Sequence, residues 1–313
     1  MIKQKDIYII IVTYNGMKWL ARCLESTKPY PVIVVDNNST DGTVDYMKNN
    51  HPEIILFEEK ENLGFGQANN VGISYALNEG ADFVFLLNQD AYLEPGCLES
   101  LVKAQDANLE YGILSPVHLN GEGNRLDKNF SNYLNYQANP DFYSDYVLNK
   151  PKKLIYDIPF VNAAGWLLSK KCLFEVGGFD PIFFHYGEDV NLCQRILYHD
   201  FKIGILPGNY LRHDREFRYD EKIKPFTKNY WENISRSHKI KYADVNLNNT
   251  RDLENSLSNR KTALFKSRLK FDSRAVNIYR QEIEMLENNI SKIKASLKIN
   301  RDPGSHYLDN IKL

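Results

Sequence analysis

Four short apolar runs, each cut off by polar residues and separated from the next by a helical pattern, restrict this chain more than anything else in it. They are Ile7–Val12, Pro31–Val35, Ile54–Phe57 and Phe83–Leu87. Ile7-Tyr8-Ile9-Ile10-Ile11-Val12 lacks polar alternation, the pattern of a strand covered on both faces. Met17–Thr27 places Trp19, Leu20, Cys23 and Leu24 at helical spacing. Further helices are expected near Val44–Asn49 and from about Gln67 to Glu79. Strands alternating with helices predict a parallel sheet with helices on its faces. Three of the runs end in polar tips: Thr13-Tyr14-Asn15, Asp36-Asn37-Asn38 and Asn88-Gln89-Asp90. Singly, each tip is explained as a turn or a helix cap. Together they lie at the carboxyl edge of one sheet, where such sheets bind ligands. Asp90 follows a buried strand and therefore needs a cation or a hydrogen-bonding partner.

From Val117 to Pro159 the periodicity fades, and Phe130, Tyr133, Tyr136, Phe142, Tyr143, Tyr146 and Tyr156 punctuate the stretch. It reads as an antiparallel excursion or a lid, its aromatics packing the insertion or stacking on sugar faces. Order resumes over Ile158–Leu168, as a strand after a close-packed small-residue turn. Lys170–Val176 follows as a short helix stopped by Gly177-Gly178. Glu188-Asp189 then opens a helix to about Tyr198. Acids at a helix start satisfy the dipole without any function. Here, however, the aromatic segment Phe179–Tyr186 precedes them and would shield them from water. A partly desolvated carboxylate is a better proton acceptor at neutral pH. Phe201–Leu206 reads as another strand, with His213 downstream near the same pocket.

The formal net charge of −1 gives no sign of a nucleic-acid partner. The four cysteines show no metal-ligand spacing and read as reduced, packed thiols. The apolar run near the start is too short for a signal peptide or a membrane span, so a cytoplasmic location is expected, with peripheral contact at the inner face of the membrane left open.

Six stretches, in this order, carry a resemblance: Ile11-Val12-Thr13-Tyr14-Asn15; Val35-Asp36-Asn37-Asn38-Ser39; Glu61-Asn62-Leu63-Gly64-Phe65-Gly66 with Asn69-Asn70-Val71-Gly72; Leu87-Asn88-Gln89-Asp90; Gly177-Gly178-Phe179-Asp180; and Glu188–Arg195 with His213 beyond. The chain resembles the family 2 inverting glycosyltransferases, most closely their bacterial rhamnosyltransferase-like branch. The resemblance implies the GT-A fold, a Rossmann-like mixed α/β sheet flanked by helices. A catalytic domain would span 1–220, its nucleotide-binding half reaching to about 115 and its acceptor half covering 116–220. A helical extension would follow over 221–313. It implies nucleotide-sugar contacts at Thr13, Tyr14, Asn15, Asp36, Asn38, Asn62, Gly64, Asn69, Asn88, Gln89 and Glu188. A divalent metal, Mg²⁺ or Mn²⁺, would bind at Asp90 and His213, and Asp189 would be the catalytic base. Asn88 stands where the family's DxD motif has its first acid. The implied reaction moves a sugar, rhamnose among the candidates, from a UDP- or dTDP-sugar to a saccharide or lipid-linked acceptor in cell-surface polysaccharide synthesis.

Three other readings compete. A sugar nucleotidyltransferase would need a Gly-rich basic loop after the first strand, where Thr13-Tyr14-Asn15-Gly16 stands. A catalytically weak nucleotide-sugar-binding protein would be compatible with Asn88. An oxidoreductase would need GxGxxG at that same first turn.

The tail has its own pattern. Phe226–Tyr242 is expected to be an amphipathic helix with Tyr230, Trp231 and Ile234 inward, and Asp244–Asn259 a linker. Arg260–Arg280 holds seven basic residues against Asp272, interleaved with Leu264, Phe265, Leu269 and Phe271. That suits either an anionic membrane surface or a helix packed on the body. Val276, Tyr279, Ile283, Leu286, Ile290, Ile293 and Leu297 form a heptad, predicting a coiled coil over 276–297 that serves homo-oligomerisation or docks on the catalytic body.

Overall fold

The computed structural model describes residues 6–215, 223–247 and 249–309. Its contacts divide the chain into two units, one of Met1–Arg218 with Pro303–Leu313 and one of Tyr219–Asp302.

The first unit is built on a nine-stranded mixed sheet. Its parallel half contains β1 (Ile7–Thr13), β2 (Val32–Asp36), β3 (Ile55–Glu58) and β4 (Phe83–Asn88). Helices α1 (Met17–Ser26), α2 (Thr43–Asn50) and α3 (Phe65–Asn78) make the crossovers. Alternate residues of β1 enter opposite cores. Ile9 and Ile11 pack with Leu20, Cys23 and Leu24 of α1, whereas Ile10 packs with Ile73 and Ala76 of α3. Both faces are covered, which is why the run shows no alternation. Each such buried side chain contributes about 1.5–3 kcal/mol.

The chain then adds β5 (Ala91–Leu93), α4 (Cys97–Ala107) and β6 (Tyr111–Asn120). The insertion holds α5 (Lys128–Tyr133) and α6 (Pro140–Val147), ending in the short β7 (Tyr156–Asp157). After it come β8 (Gly165–Ser169), α7 (Lys170–Val176), α8 (Glu188–Tyr198) and β9 (Lys202–His213). The strand order is β3-β2-β1-β4-β8-β6-β9-β5, with β7 paired to β9. β8 runs antiparallel to both β4 and β6, so the carboxyl ends of β6 and β9 share an edge with those of β1, β2 and β4.

The insertion differs from an antiparallel excursion: two short helices fill it. Phe130, Phe142 and Tyr156 are buried there, so those aromatics pack the insertion itself. The four thiols are free and buried, as expected.

The second unit contains α9 (Lys228–Tyr242), α10 (Thr250–Leu269) and α11 (Ser273–Asn300). The expected linker Asp244–Asn259 is corrected here, because α10 starts inside it. Asn and Ser are weak helix formers, but Leu253 is buried, and tertiary burial overrides propensity. α11 packs along α10 and α9, and its heptad residues Leu286, Ile293 and Leu297 are buried without a second copy.

Pro303–Asp309 also departs from the expected division, since it belongs to the first unit. Gly304 N donates to Glu175 O (2.9 Å), and Gly178 N donates to His306 O (2.8 Å). Leu308 joins the core that holds Phe179 and Trp166. No helix among the described residues is long and apolar enough to cross a membrane.

Candidate active site

The polar tips converge on one cleft of about 280 Å³, lined by Val12, Tyr14, Asn37, Asn62, Gly64, Phe65, Asn88, Gln89, Asp90, Phe184 and His185. Of the residues expected at the site, Tyr14, Asn62, Gly64, Asn88, Gln89 and Asp90 form its walls.

The remaining expected residues lie outside those walls. Thr13 Oγ1 donates to Asp36 Oδ1 (2.8 Å), and Asp36 also accepts from Ser39 N (2.8 Å) and Ser39 Oγ (2.6 Å). Both Thr13 and Asp36 are buried, and together they fix the ends of β1 and β2. Asn15 Oδ1 accepts from Thr40 N (2.8 Å), and Asn38 is an exposed turn residue with φ +65°. Asn69 is buried on α3, its Nδ2 donating to Phe65 O (2.9 Å).

Asn37, rather than its neighbour Asn38, faces the cleft. Its Oδ1 accepts from Leu63 N (3.2 Å), and its Nδ2 donates to Gly64 O (3.2 Å). That pair ties the β2 tip to the loop before α3. Gln89 does the same between β4 and β1: Tyr14 N donates to Gln89 Oε1 (3.0 Å), and Gln89 Nε2 donates to Tyr14 O (3.2 Å). Gly16 makes room for it, because a Cβ there would lie 2.4 Å from Gln89 Oε1.

Gly64 is the tightest point of the cleft. Its φ is +80°, and a Cβ would meet Phe184 O at 1.9 Å. Gly64→Ala is therefore expected to cost about 2 kcal/mol or more through backbone strain and displacement of the Phe184 segment. Thermal unfolding measures the cost, and an unchanged melting temperature would show that the Phe184 segment yields freely.

The sheet register explains how Asp90 meets His213. β5 pairs antiparallel with β9, placing Ala91 opposite His213. Asp214 N donates to Asp90 O (2.8 Å), and His213 Nε2 lies 3.4 Å from Asp90 Oδ1. Both side chains are almost fully buried. Asp90 lines the cleft, whereas His213, its neighbour, does not. Asn88 Oδ1 is buried and has no hydrogen-bond partner among the described residues.

Glu188 and Asp189 form the first turn of α8, after Gly187 at φ +97°. Glu188 is buried. Burial raises the Asp189 carboxyl to about 6, against the opposing pull of backbone N–H groups that include those of Val190, Ala163 and Gly187. Asp189 is not a wall of the cleft, but the segment leading to it supplies Phe184 and His185.

Asn37, Phe65, Phe184 and His185 were not singled out from the sequence. Asn37 was within reach of that reasoning, because a tip of three polar residues has to turn at least one of them inward. Phe184 and His185 lie in the aromatic segment expected to shield Glu188 and Asp189, but without periodicity it did not show which of its residues face the cleft.

Comparison with known proteins identifies the family and the fold. Residues 8–173 match the family described as Glycosyl transferase family 2. The N-acetylglucosaminyl-diphospho-decaprenol L-rhamnosyltransferase of Mycobacterium tuberculosis is 29% identical over 221 residues, covering 60% of this chain and 69% of that protein. The rhamnosyltransferase WbbL of Escherichia coli strain K12 is 24% identical over 250 residues, covering 74% and 93%. Among solved structures, a mannosyltransferase from Pyrobaculum calidifontis in complex with GDP-Man and Mn²⁺ is similar at a TM-score of 0.51 and 18% identity, over 96% of this chain and 89% of that one. GalNAc-T7 with UDP, GalNAc and Mn²⁺ is similar at a TM-score of 0.55 and 16% identity, over 76% and 50%. At these identities the two structures show likeness of fold.

Proposed function

The chain belongs to glycosyl transferase family 2, and from that premise we propose that its cleft binds a nucleoside diphosphate sugar and that Asp189 deprotonates the acceptor hydroxyl. The fold is that of the GT-A glycosyltransferases. The observation that carries the reading is the presence of Asn88, which ends β4, and Asp90 just beyond it in one cleft whose other walls are mostly amides and aromatics. Tyr14, 49% exposed, offers a ring face to a nucleobase. Asn37, Asn62 and Gln89 offer amide donors and acceptors to base and ribose.

The donor set fits a hard divalent cation. Asp90 brings a carboxylate and Asn88 an unsatisfied amide oxygen, both suited to Mg²⁺ or Mn²⁺. No group of three His, Cys, Asp or Glu able to hold a metal occurs among the described residues. Asp90 and Asn88 would therefore hold the ion with few other protein ligands, leaving room for the donor's own oxygens. The similar mannosyltransferase and GalNAc-T7 structures, both holding Mn²⁺, support this choice of metal class. When bound, such an ion neutralises charge growing on the departing diphosphate. His213 holds Asp90 in place.

In the transfer itself the acceptor oxygen bonds to the anomeric carbon from the face opposite the diphosphate. The carbon–oxygen bond to the diphosphate breaks, its electron pair leaving with the phosphate, and Asp189 takes the acceptor proton. A single displacement inverts the anomeric centre. The names of the rhamnosyltransferase relatives support a deoxyhexose as the sugar and, for one of them, a lipid-linked acceptor; we take the donor nucleotide to be UDP or dTDP, and a lipid-linked acceptor would bring the chain to the inner face of a membrane.

A thermal-shift screen of UDP-, dTDP- and GDP-sugars with Mg²⁺ or Mn²⁺ tests the reading. A cognate donor at a hundred times its Kd is expected to stabilise the fold by about 2.7 kcal/mol. Asp90→Asn should keep its own melting temperature and lose the metal-dependent part of that shift. Absence of a shift with every donor would overturn the assignment.

A further inference from the structure

We propose that the tip of the α10–α11 hairpin is a docking surface for an anionic lipid bilayer. Three apolar side chains stand out from this tip: Phe265 is 62% exposed, Leu269 65% and Phe271 93%. Phe265 lies in the last turns of α10, and Leu269 and Phe271 flank the turn into α11. Leu269 ends α10, Phe271 adopts φ +55°, and Asp272 caps α11 by accepting from Ala275 N (3.0 Å). The turn holds Phe271 outward with no core to enter, and soluble monomers rarely leave such a cluster uncovered.

Along the hairpin, three cations are paired across the two helices: Arg260 with Glu282 (2.8 Å), Lys261 with Glu287 (2.7 Å) and Lys294 with Glu254 (2.5 Å). At the tip, Lys266, Arg268, Lys270 and Arg274 surround the three apolar groups, all exposed and with no ion pair among the described residues. The nearest acid in sequence, Asp272, is spent on the helix cap. Unpaired cations around protruding aromatic and aliphatic groups complement a surface that is anionic outside and hydrocarbon beneath. No described helix can span a bilayer, so the contact is interfacial.

The purpose of this surface rests on the lipid-linked acceptor proposed above, but its existence does not. Binding to vesicles is read without donor or acceptor, so failure of the donor assignment leaves the result intact. The full chain is sedimented with vesicles of phosphatidylcholine alone and of phosphatidylcholine with phosphatidylglycerol. Binding is expected with the anionic vesicles only, weakening as salt is raised from about 0.1 M to about 0.5 M. A Leu269→Asp, Phe271→Asp double variant is expected to bind about tenfold or more weakly. Its far-UV circular dichroism and its transfer to a soluble acceptor should stay unchanged, since neither side chain is in a core. Phe271→Trp gives a second readout, a blue-shifted emission on anionic vesicles alone. The proposal is overturned if the double variant sediments like the parent, if neutral vesicles bind equally, or if the parent stays in the supernatant with both. It is overturned equally if light scattering finds a dimer that the double variant abolishes, because the tip would then be covered by a second copy.

Discussion

Asp189→Asn is expected to slow sugar transfer by about 10²–10⁴-fold and, at neutral pH, to make the protein more stable. The two effects share one cause. Burial lifts the folded carboxyl from 3.8 to about 6. The folded state therefore holds this proton more tightly than the unfolded chain does. Stability contributed by the protonated form is fully present below pH 3.8 and is lost as pH rises through about 6. Above that pH the carboxylate is ionised in a site that disfavours it, at a cost on the order of 1–3 kcal/mol. Asn is uncharged at every pH and removes the cost, so the variant's gain in melting temperature should be present at pH 7 and absent near pH 4. For the parent enzyme, kcat/KM should rise with pH through a limb near 6 as Asp189 becomes able to accept a proton. That limb should vanish from the residual activity of the variant. Donor-induced stabilisation should survive, because Asp189 is not a wall of the cleft. Loss of donor binding together with activity would make Asp189 a structural residue, and full retention of activity would remove it from the mechanism.

The parts of this design that could be read from the sequence are those written in periodicity. β1, β2 and β4 announce themselves because both faces are buried, and their polar tips announce the cleft because nothing else interrupts such strands. The tips did not reveal which of their residues faces inward. Asn37 and Asn38 are chemically identical, and it is the fold that separates them: Asn37 bonds Leu63 and Gly64, whereas Asn38 turns out at φ +65°. Where contacts are made by backbone atoms the sequence is silent. Pro303–Asp309 returns to the catalytic unit through main-chain bonds to Glu175 and Gly178; Gly177 and Gly178 leave room for it, since a Cβ there would meet His306 O at 2.4 Å or Leu308 Cδ2 at 2.6 Å, but two adjacent glycines do not name the segment that packs on them. The misread linker fails for a different reason. Its Asn and Ser content signals a loop, whereas the single buried Leu253 decides the outcome through tertiary packing.

Arg195→Leu should be the most destabilising substitution considered, and it should act without touching the reaction. The Arg195 side chain is fully buried in α8, the helix whose first turn presents Asp189. Its guanidinium donates to Val176 O (2.9 Å), to Gly178 O and to Asn191 Oδ1 (3.1 Å). It also lies 5.6 Å from the Tyr307 ring centre, and the Tyr307 hydroxyl donates to Asp180 Oδ2 (3.2 Å). One side chain thus joins α8, the end of α7 and the returning C-terminal segment. Leu fills most of the volume but leaves two buried carbonyls and an amide oxygen without this donor, a cost of about 3–5 kcal/mol. In a unit of this size the melting temperature should fall by on the order of 10 °C. Arg195→Lys should recover little, because a single ammonium cannot span the three acceptors of the planar fork. Below its transition the Leu variant should still show the donor-induced shift, with kcat reduced only as far as α8 has loosened. A variant that melts like the parent yet loses transfer would move Arg195 out of the scaffold and into the chemistry.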